Sequence, residues 1–313
     1  MSDPTIDPTP LAPGATIGWI GTGLMGGPMA RHAAAAGYRV QGYARRPEVA
    51  EQLAADGIEL VDSPTAAARG ADAVLTIVAM PADVATVGAE VLDALTPGGV
   101  WVDMTTSEPK QATELAAHGA ERGIGVLDAP VTGGEGGAIA GTLTMMVGGT
   151  AATLDRVRPV LDTFTGRVLH HGGPGAGQHA KAANQVSVAG AMIAMCEALV
   201  YADAAGLDLS LVFDSISTGA GGSAAWTAMG QKVITDDMAP GFVIEHFVKD
   251  LGIVLAESRR LGVVLPGAAL AEQLYRIAVA HGRARSGTQA LVHAVAELSG
   301  RPWPPATPTG PSA

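Results

Sequence analysis

Residues 16–26 read Thr16-Ile17-Gly18-Trp19-Ile20-Gly21-Thr22-Gly23-Leu24-Met25-Gly26. The first five are a short apolar run with strand character. The next six place glycine first, third and sixth. Gly27-Pro28-Met29-Ala30 leads into an alanine-rich helix, Arg31 to Ala36, that stops at Gly37, and Tyr38 to Tyr43 predicts a second strand. Strand, glycine turn, helix and strand make a βαβ unit. In such a turn each glycine has its own task. Gly21 allows the tight turn, Gly23 lets a pyrophosphate approach the backbone, and Gly26 lets helix and strand pack closely. The helix N-terminus offers N–H groups and the positive end of its dipole to the phosphates. The expectation is a dinucleotide site on Gly21, Thr22, Gly23, Leu24, Met25 and Gly26.

The acid that would hold a ribose 2′-hydroxyl about 20 residues further on is missing. That strand end reads Tyr43-Ala44-Arg45-Arg46-Pro47, with two arginines and no carboxylate. Arg45 and Arg46 favour a 2′-phosphate, hence NADP over NAD; the other reading is two solvated loop charges.

Outward from this unit the alternation continues. Helices are predicted over Glu48 to Ala55, Pro64 to Arg69, Ala82 to Leu95, Lys110 to Arg122 and Ala151 to Leu161. Strands are predicted over Ala71 to Ala79, Val100 to Met104, Gly125 to Pro130, Gly141 to Val147 and Val168 to His171. Strands alternating with helices predict a doubly wound, Rossmann-type sheet. Thr105-Thr106-Ser107 follows a strand's carboxyl end, where ligands of open α/β sheets bind. Val131 to Gly134 offers one hydroxyl and unobstructed backbone N–H groups, which suits a carboxylate; an ordinary flexible loop is the other reading. His170 and His171 have no partner at ligand spacing and read as structural.

A second glycine-rich turn, Gly172-Gly173-Pro174-Gly175-Ala176-Gly177, runs into an apolar helix predicted from Gln178 to Ala205. Its ~28 residues would span about 42 Å, which fits an inter-domain helix or a subunit interface. Lys181 enters its second turn, with Asn184 and Gln185 three and four residues later, on the same face. A lysine there is either a snorkelling surface cation or an acid/base whose pKa desolvation lowers toward neutrality. Helices are then predicted over Ser210 to Ser217, Ala224 to Ile234, Lys249 to Leu261, Gly267 to His281 and Gly287 to Leu298. The reading is a dinucleotide-binding domain at 14–173 and an all-α domain at 174–300 for substrate and dimerisation. Proline-rich loose tails are expected at 1–13 and 301–313.

The 313 residues are 48% hydrophobic and 16% charged, so they build cores rather than a disordered chain. A net charge of −11 argues against a nucleic-acid partner. One cysteine, Cys196, leaves no internal disulfide and no thiolate metal cluster, which suits the cytoplasm. The apolar run nearest to a membrane span, Val186 to Val200, is broken by Glu197 and reads as a buried helix. The N-terminus lacks the basic region of a signal peptide. The expected partners are therefore a small carboxylate substrate and further copies of the chain, as a dimer or tetramer.

Four stretches, in order over roughly residues 16–299, carry a resemblance. Gly18 to Ala30, Asp128-Ala129-Pro130-Val131-Thr132-Gly133-Gly134, Gly175 to Gln185 and Lys249-Asp250-Leu251 resemble the motifs of the β-hydroxyacid dehydrogenases, the family of 3-hydroxyisobutyrate dehydrogenase and tartronate semialdehyde reductase. The resemblance implies reversible hydride transfer between a small 3-hydroxy acid and its semialdehyde, with NADP or NAD. It implies Lys181 as the catalytic lysine. It implies Thr132, Gly133 and Gly134 as the carboxylate site, and Asn184 and Gln185 at positions where many members have Asn-Asn. It further implies Ile77, Val78 and Thr106 around the nicotinamide half, and Lys249 as a cofactor contact. Trp226 falls near a substrate-facing aromatic of the family but is not counted among the site residues. Two alternatives remain: an imine reductase, which typically replaces the lysine, and a catalytically silent NADP-binding interaction protein.

Overall fold

The computed structural model describes residues 6–44 and 46–305. The chain divides into two compact units between Lys181 and Ala182. The N-terminal unit contains β1 (Thr16–Ile20), α1 (Gly26–Ala35), β2 (Arg39–Tyr43), α2 (Pro47–Ala55), β3 (Glu59–Val61), α3 (Pro64–Ala68), β4 (Ala73–Thr76) and α4 (Pro81–Ala94). It continues with β5 (Val100–Asp103), α5 (Pro109–Glu121), β6 (Gly125–Asp128), β7 (Val131–Thr132), α6 (Gly134–Ala140), β8 (Leu143–Gly148), α7 (Ala151–Leu161) and β9 (Thr165–Gly172). Helix α8 (Ala176–Ala204) starts in this unit and runs into the next. There it is followed by α9 (Leu209–Ser217), α10 (Ala224–Ile234), α11 (Ile244–Leu261), α12 (Pro266–Ala280), a 3-10 turn at Thr288–Ala290 and α13 (Leu291–Leu298).

One sheet organises the N-terminal unit, in the order β3-β2-β1-β4-β5-β6-β8-β7, with β9 on β8. From β3 to β6 all neighbours are parallel, whereas β8 is antiparallel to β6 and β7. Strand alternation feeds two separate cores. Ile17, Trp19, Leu75, Val100 and Val102 enter one core with Met29 of α1 and Leu154 of α7. Ile20, Val74 and Trp101 enter the other with Ala67 of α3 and Val84 and Val91 of α4. Helices therefore cover both faces, as a fully buried parallel sheet requires. The order reverses between β1 and β4, which puts the topological switch point at the end of β1, where the glycine turn begins.

In the C-terminal unit, α8 contributes Met192, Met195, Cys196, Leu199 and Val200 to a core shared with α10 to α13. Phe247 and Tyr275 meet edge to face at 5.0 Å, and the Tyr275 hydroxyl donates to the Thr288 carbonyl at 3.0 Å. Helix α8 is long and apolar enough to cross a bilayer, yet half of its apolar window is buried within the chain, as in a core helix.

The structure corrects several expectations. Neither tail is loose over its described part. Ile6 and Leu11 are buried, and the Arg156 guanidinium donates to the Asp7 and Thr9 carbonyls. Trp303 is buried with its indole N–H on the Val233 carbonyl, and Arg301 pairs with Asp203. Proline-rich sequence does not prevent docking when an apolar or cationic anchor punctuates it. Compactness groups the first turn and a half of α8 with the N-terminal unit, eight residues past the 173/174 boundary marked by the sequence, through hydrogen bonds to β6 and to the segment after β5. Helix α6 is a further addition, entered through Gly133 at φ +129°. The short strand β3 is an addition, too exposed to show an apolar run. Helix α11 starts five residues before the expected Lys249, so Lys249 and Asp250 lie in its second turn.

Candidate active site

The glycine turn divides its tasks by geometry. Gly21 has φ +93°, and a Cβ there would lie 2.0 Å from the Ile77 carbonyl oxygen. A Cβ on Gly26 would lie 1.9 Å from the Gly21 carbonyl oxygen and 2.7 Å from Ile77 Cγ2. A Cβ on Gly23 would meet nothing within 4 Å. The first and third glycines are thus demanded by the protein itself. The second is not, and the space beside it is what a close-lying phosphate needs. No side chain caps the start of α1, and its Gly27 N–H donates to the Gly23 carbonyl at 3.0 Å, which carries the helical turn back into the glycine turn. Thr22 is buried, while Leu24 is 57% exposed and Met25 forms the helix N-cap. These features fit a bound dinucleotide.

Around the turn, the ends of β4 and β5 form a hydrogen-bonded floor. The Ile77 N–H donates to the Ile20 carbonyl at 2.9 Å, and the Val78 N–H donates to Thr105 Oγ1 at 2.9 Å. Ile77 and Val78 are half-buried, and half-buried Thr106 follows the tied Thr105. Of the expected residues, Ile77 lies against Gly21 and Gly26, and Val78 is tied to Thr105, the neighbour of Thr106. At the end of β2, Arg46 is exposed, with its guanidinium 4.0 Å from the Glu48 carboxylate. Arg45 lies outside the described residues.

Lys181 is only 7% exposed. Its Nζ donates to the Val131 carbonyl at 3.0 Å, which places the ammonium on the strand that continues into Thr132, Gly133 and Gly134. Gly134 has φ +63°, so both glycines of that loop use backbone that a side chain would strain. In the C-terminal unit, Asn184 Nδ2 donates to Gln185 Oε1 at 2.8 Å, and Gln185 Nε2 donates to Asp250 at 2.6 Å. The Asp250 carboxylate is paired with Lys249 Nζ at 3.0 Å. Burial and the Lys249 charge hold the nearby His246 imidazole below its usual range. Trp226 is buried in the same unit, stacked on Phe213 at 5.9 Å.

Four further buried polar residues were given no role from the sequence, although Thr105, Asp128 and Gln178 stand in stretches quoted from it. Asp103 accepts from the Thr76 hydroxyl at 3.0 Å and from the Thr105 N–H at 3.1 Å. Burial nevertheless pushes its carboxyl up to about 6. Asp128, in register beside it on β6, accepts N–H groups from the start of α8, and burial likewise raises its carboxyl. Gln178 and Thr105 complete the network. A signal was present: two otherwise apolar strands, β5 and β6, each end in aspartate. Among the described residues no cluster of histidine, cysteine or carboxylate side chains could hold a metal ion.

Residues 16–173 match the family profile described as the NAD-binding domain of 6-phosphogluconate dehydrogenase. Residues 175–295 match the one described as the NAD-binding domain of NADP-dependent 3-hydroxyisobutyrate dehydrogenase. A probable mitochondrial 3-hydroxyisobutyrate dehydrogenase-like protein of Arabidopsis thaliana is 43% identical, over 96% of this chain and 91% of its own. The chain belongs to the β-hydroxyacid dehydrogenase family. As a member it is an oxidoreductase with a Rossmann-type NAD(P)-binding domain followed by a helical domain. Among solved structures of similar fold, Mycobacterium tuberculosis 3-hydroxyisobutyrate dehydrogenase with L-serine is 33% identical, with a TM-score of 0.81 over 90% of this chain and 99% of that one. An imine reductase from a Pseudomonas species, 19% identical with a TM-score of 0.58 over 90% of this chain and 99% of its own, shares the fold alone.

Proposed function

We propose that this β-hydroxyacid dehydrogenase catalyses reversible oxidation of a small 3-hydroxy acid, of the 3-hydroxyisobutyrate type, to its semialdehyde. Lys181 is the general acid/base. The observation that supports this reading is the buried Lys181 Nζ on the Val131 carbonyl, beside the Thr132-Gly133-Gly134 loop. A bound nicotinamide supplies the hydride acceptor or donor. Lys181 takes the hydroxyl proton in oxidation as the neutral amine and returns it in reduction as the ammonium. Thr132 and the backbone of Gly133 and Gly134 hold the substrate carboxylate. Asn184 orients the reacting hydroxyl, because Gln185 is committed at both ends of its amide, to Asn184 and to Asp250. Gln185 then holds Asn184 in place. Lys249 contacts the cofactor.

The turn Gly21 to Gly26 holds the pyrophosphate, with Ile77, Val78 and Thr106 beside the nicotinamide half. Arg45 and Arg46 hold a 2′-phosphate, so NADP is preferred over NAD; no carboxylate lies between Tyr43 and Pro47 to repel it. The active species is a homo-oligomer in a reducing, cytoplasmic environment, in keeping with a single buried thiol.

The test is a panel of 3-hydroxyisobutyrate, glycerate, 4-hydroxybutyrate and serine with NADP and NAD, alongside cyclic imines with the reduced cofactors. The expected result is turnover of a 3-hydroxy acid with the higher kcat/KM on NADP. Replacing Ala44 by Asp together with Arg45→Ala should shift preference toward NAD. Turnover of imines alone would establish the reductase reading instead, and no turnover with intact cofactor binding would establish the silent one.

A further inference from the structure

The first turns of α8 are fastened to the sheet at two points with matching offsets. At the first, Asp128 Oδ1 accepts the Gly175 N–H at 2.8 Å and Oδ2 accepts the Gln178 N–H at 2.8 Å. The Gln178 side chain adds a second tie, donating to the Thr105 carbonyl at 2.7 Å and accepting the Ser107 N–H at 2.9 Å. The second point lies three residues further along both segments, where Lys181 Nζ meets the Val131 carbonyl at 3.0 Å. Both Asp128 and Gln178 are almost fully buried.

The backbones approach too closely for any side chain to intervene. A Cβ on Gly177 would lie 2.4 Å from the Asp128 carbonyl oxygen, and one on Gly148 would lie 2.5 Å from Asp128 Oδ1. Elsewhere in the chain partly exposed Ser63, Thr150, Asp208 and Ser223 cap helices without such a desolvation cost. A buried carboxylate on two N–H donors makes stronger, charge-assisted bonds than a hydroxyl cap and fixes the first turn more stiffly.

We propose that Asp128, acting with Gln178, is a positioning residue that sets where the Lys181 ammonium sits relative to the Thr132-Gly133-Gly134 loop. The proposal rests on the reading of Lys181 as the proton-transfer group. Asp128→Asn keeps the side-chain shape but turns an amide NH2 toward an N–H donor, so one of the two ties is lost. Displacing a reacting group by about 1 Å costs on the order of 100-fold in rate.

The experiment is a double-mutant cycle on kcat with Asp128→Asn, Lys181→Ala and the double variant, with cofactor Kd measured for each. Asp128→Asn should lower kcat about 10- to 100-fold while leaving the Kd within about twofold. In the Lys181→Ala background the same substitution should cause no further loss, because its effect passes through the lysine. Equal losses in both backgrounds would show a merely structural role and overturn the proposal, as would wild-type kcat in Asp128→Asn. Wild-type turnover in Lys181→Ala alone would instead bring down the lysine reading itself. Should Asp128→Asn fail to fold, Gln178→Met removes the second tie while keeping Asp128. It should show the same background dependence with a kcat loss of about threefold or more, and equal losses in both backgrounds, or no loss in either, would overturn the proposal.

Discussion

Substituting alanine at Gly23 and at Gly26 should separate cofactor binding from folding. At Gly26 the new Cβ would meet the Gly21 carbonyl oxygen at 1.9 Å, and that atom is backbone. Ordinary C···O contact begins near 3.3 Å, so α1 must retreat by about 1.4 Å from a turn that cannot yield. Alanine gains roughly 1 kcal/mol over glycine in a helix, but overpacking of this kind costs about 1–3 kcal/mol or more. The overlap is severe enough to put the net effect at the destabilising end. At roughly 2–4 °C per kcal/mol for a unit of this size, Tm should fall by several degrees. At Gly23 the Cβ meets nothing within 4 Å, so Tm without cofactor should stay within about 1–2 °C. The methyl would instead occupy the place of a phosphate. The Kd for NADP should therefore rise at least about tenfold, a loss of roughly 1.4 kcal/mol. Thermal melts without cofactor and titrations followed by tryptophan fluorescence give both readings. Equal Tm losses in the two variants, or an unchanged Kd in Gly23→Ala, would refute the division of labour in the turn.

Two further outcomes follow from buried groups. Burial raises the Asp103 carboxyl from 3.8 to about 6, so between those values the folded state keeps a proton that the unfolded chain has lost. Stability therefore falls as pH rises through that window, by roughly 3 kcal/mol in all. Asp103→Asn keeps the acceptor used by Thr76 and Thr105, so it should raise Tm at about pH 8 and give no gain near pH 4. A gain of equal size at both pH values would count against the burial argument. Cys196 is fully buried, and burial pushes its thiol up, with the Glu197 charge adding to the shift. A maleimide should leave the native protein unmodified over hours and label one site per chain after denaturation; rapid native labelling would contradict the placement.

Much of the N-terminal unit was legible because its strands are apolar runs cut by glycine and proline. Thr16 to Ile20, Val100 to Asp103 and Gly125 to Asp128 all fall where buried parallel strands are expected. The three-glycine turn was legible because close backbone contacts leave Gly21 and Gly26 little chemical choice. What stayed hidden were relations between distant residues. Nothing local reveals that Asp128 meets Gly175 and Gln178, about 50 positions away, or that Gln185 is spoken for by Asp250. Helix α6 was hidden because Gly134, Gly136 and Gly137 are poor helix formers, held here by packing of Ala138 and by the αL cap at Gly141. The tails misled because composition outweighed their anchors, Ile6, Leu11 and Trp303.

The central claim is that Lys181 moves the proton in hydride transfer between a hydroxy acid and its semialdehyde. Steady-state turnover of Lys181→Ala on the best 3-hydroxy acid, with cofactor Kd and Tm measured on the same preparation, tests it most directly. The expected result is a kcat lowered by about 100- to 10,000-fold, with Kd within about twofold and the fold intact. Near-wild-type kcat in a folded, cofactor-binding Lys181→Ala protein would contradict it.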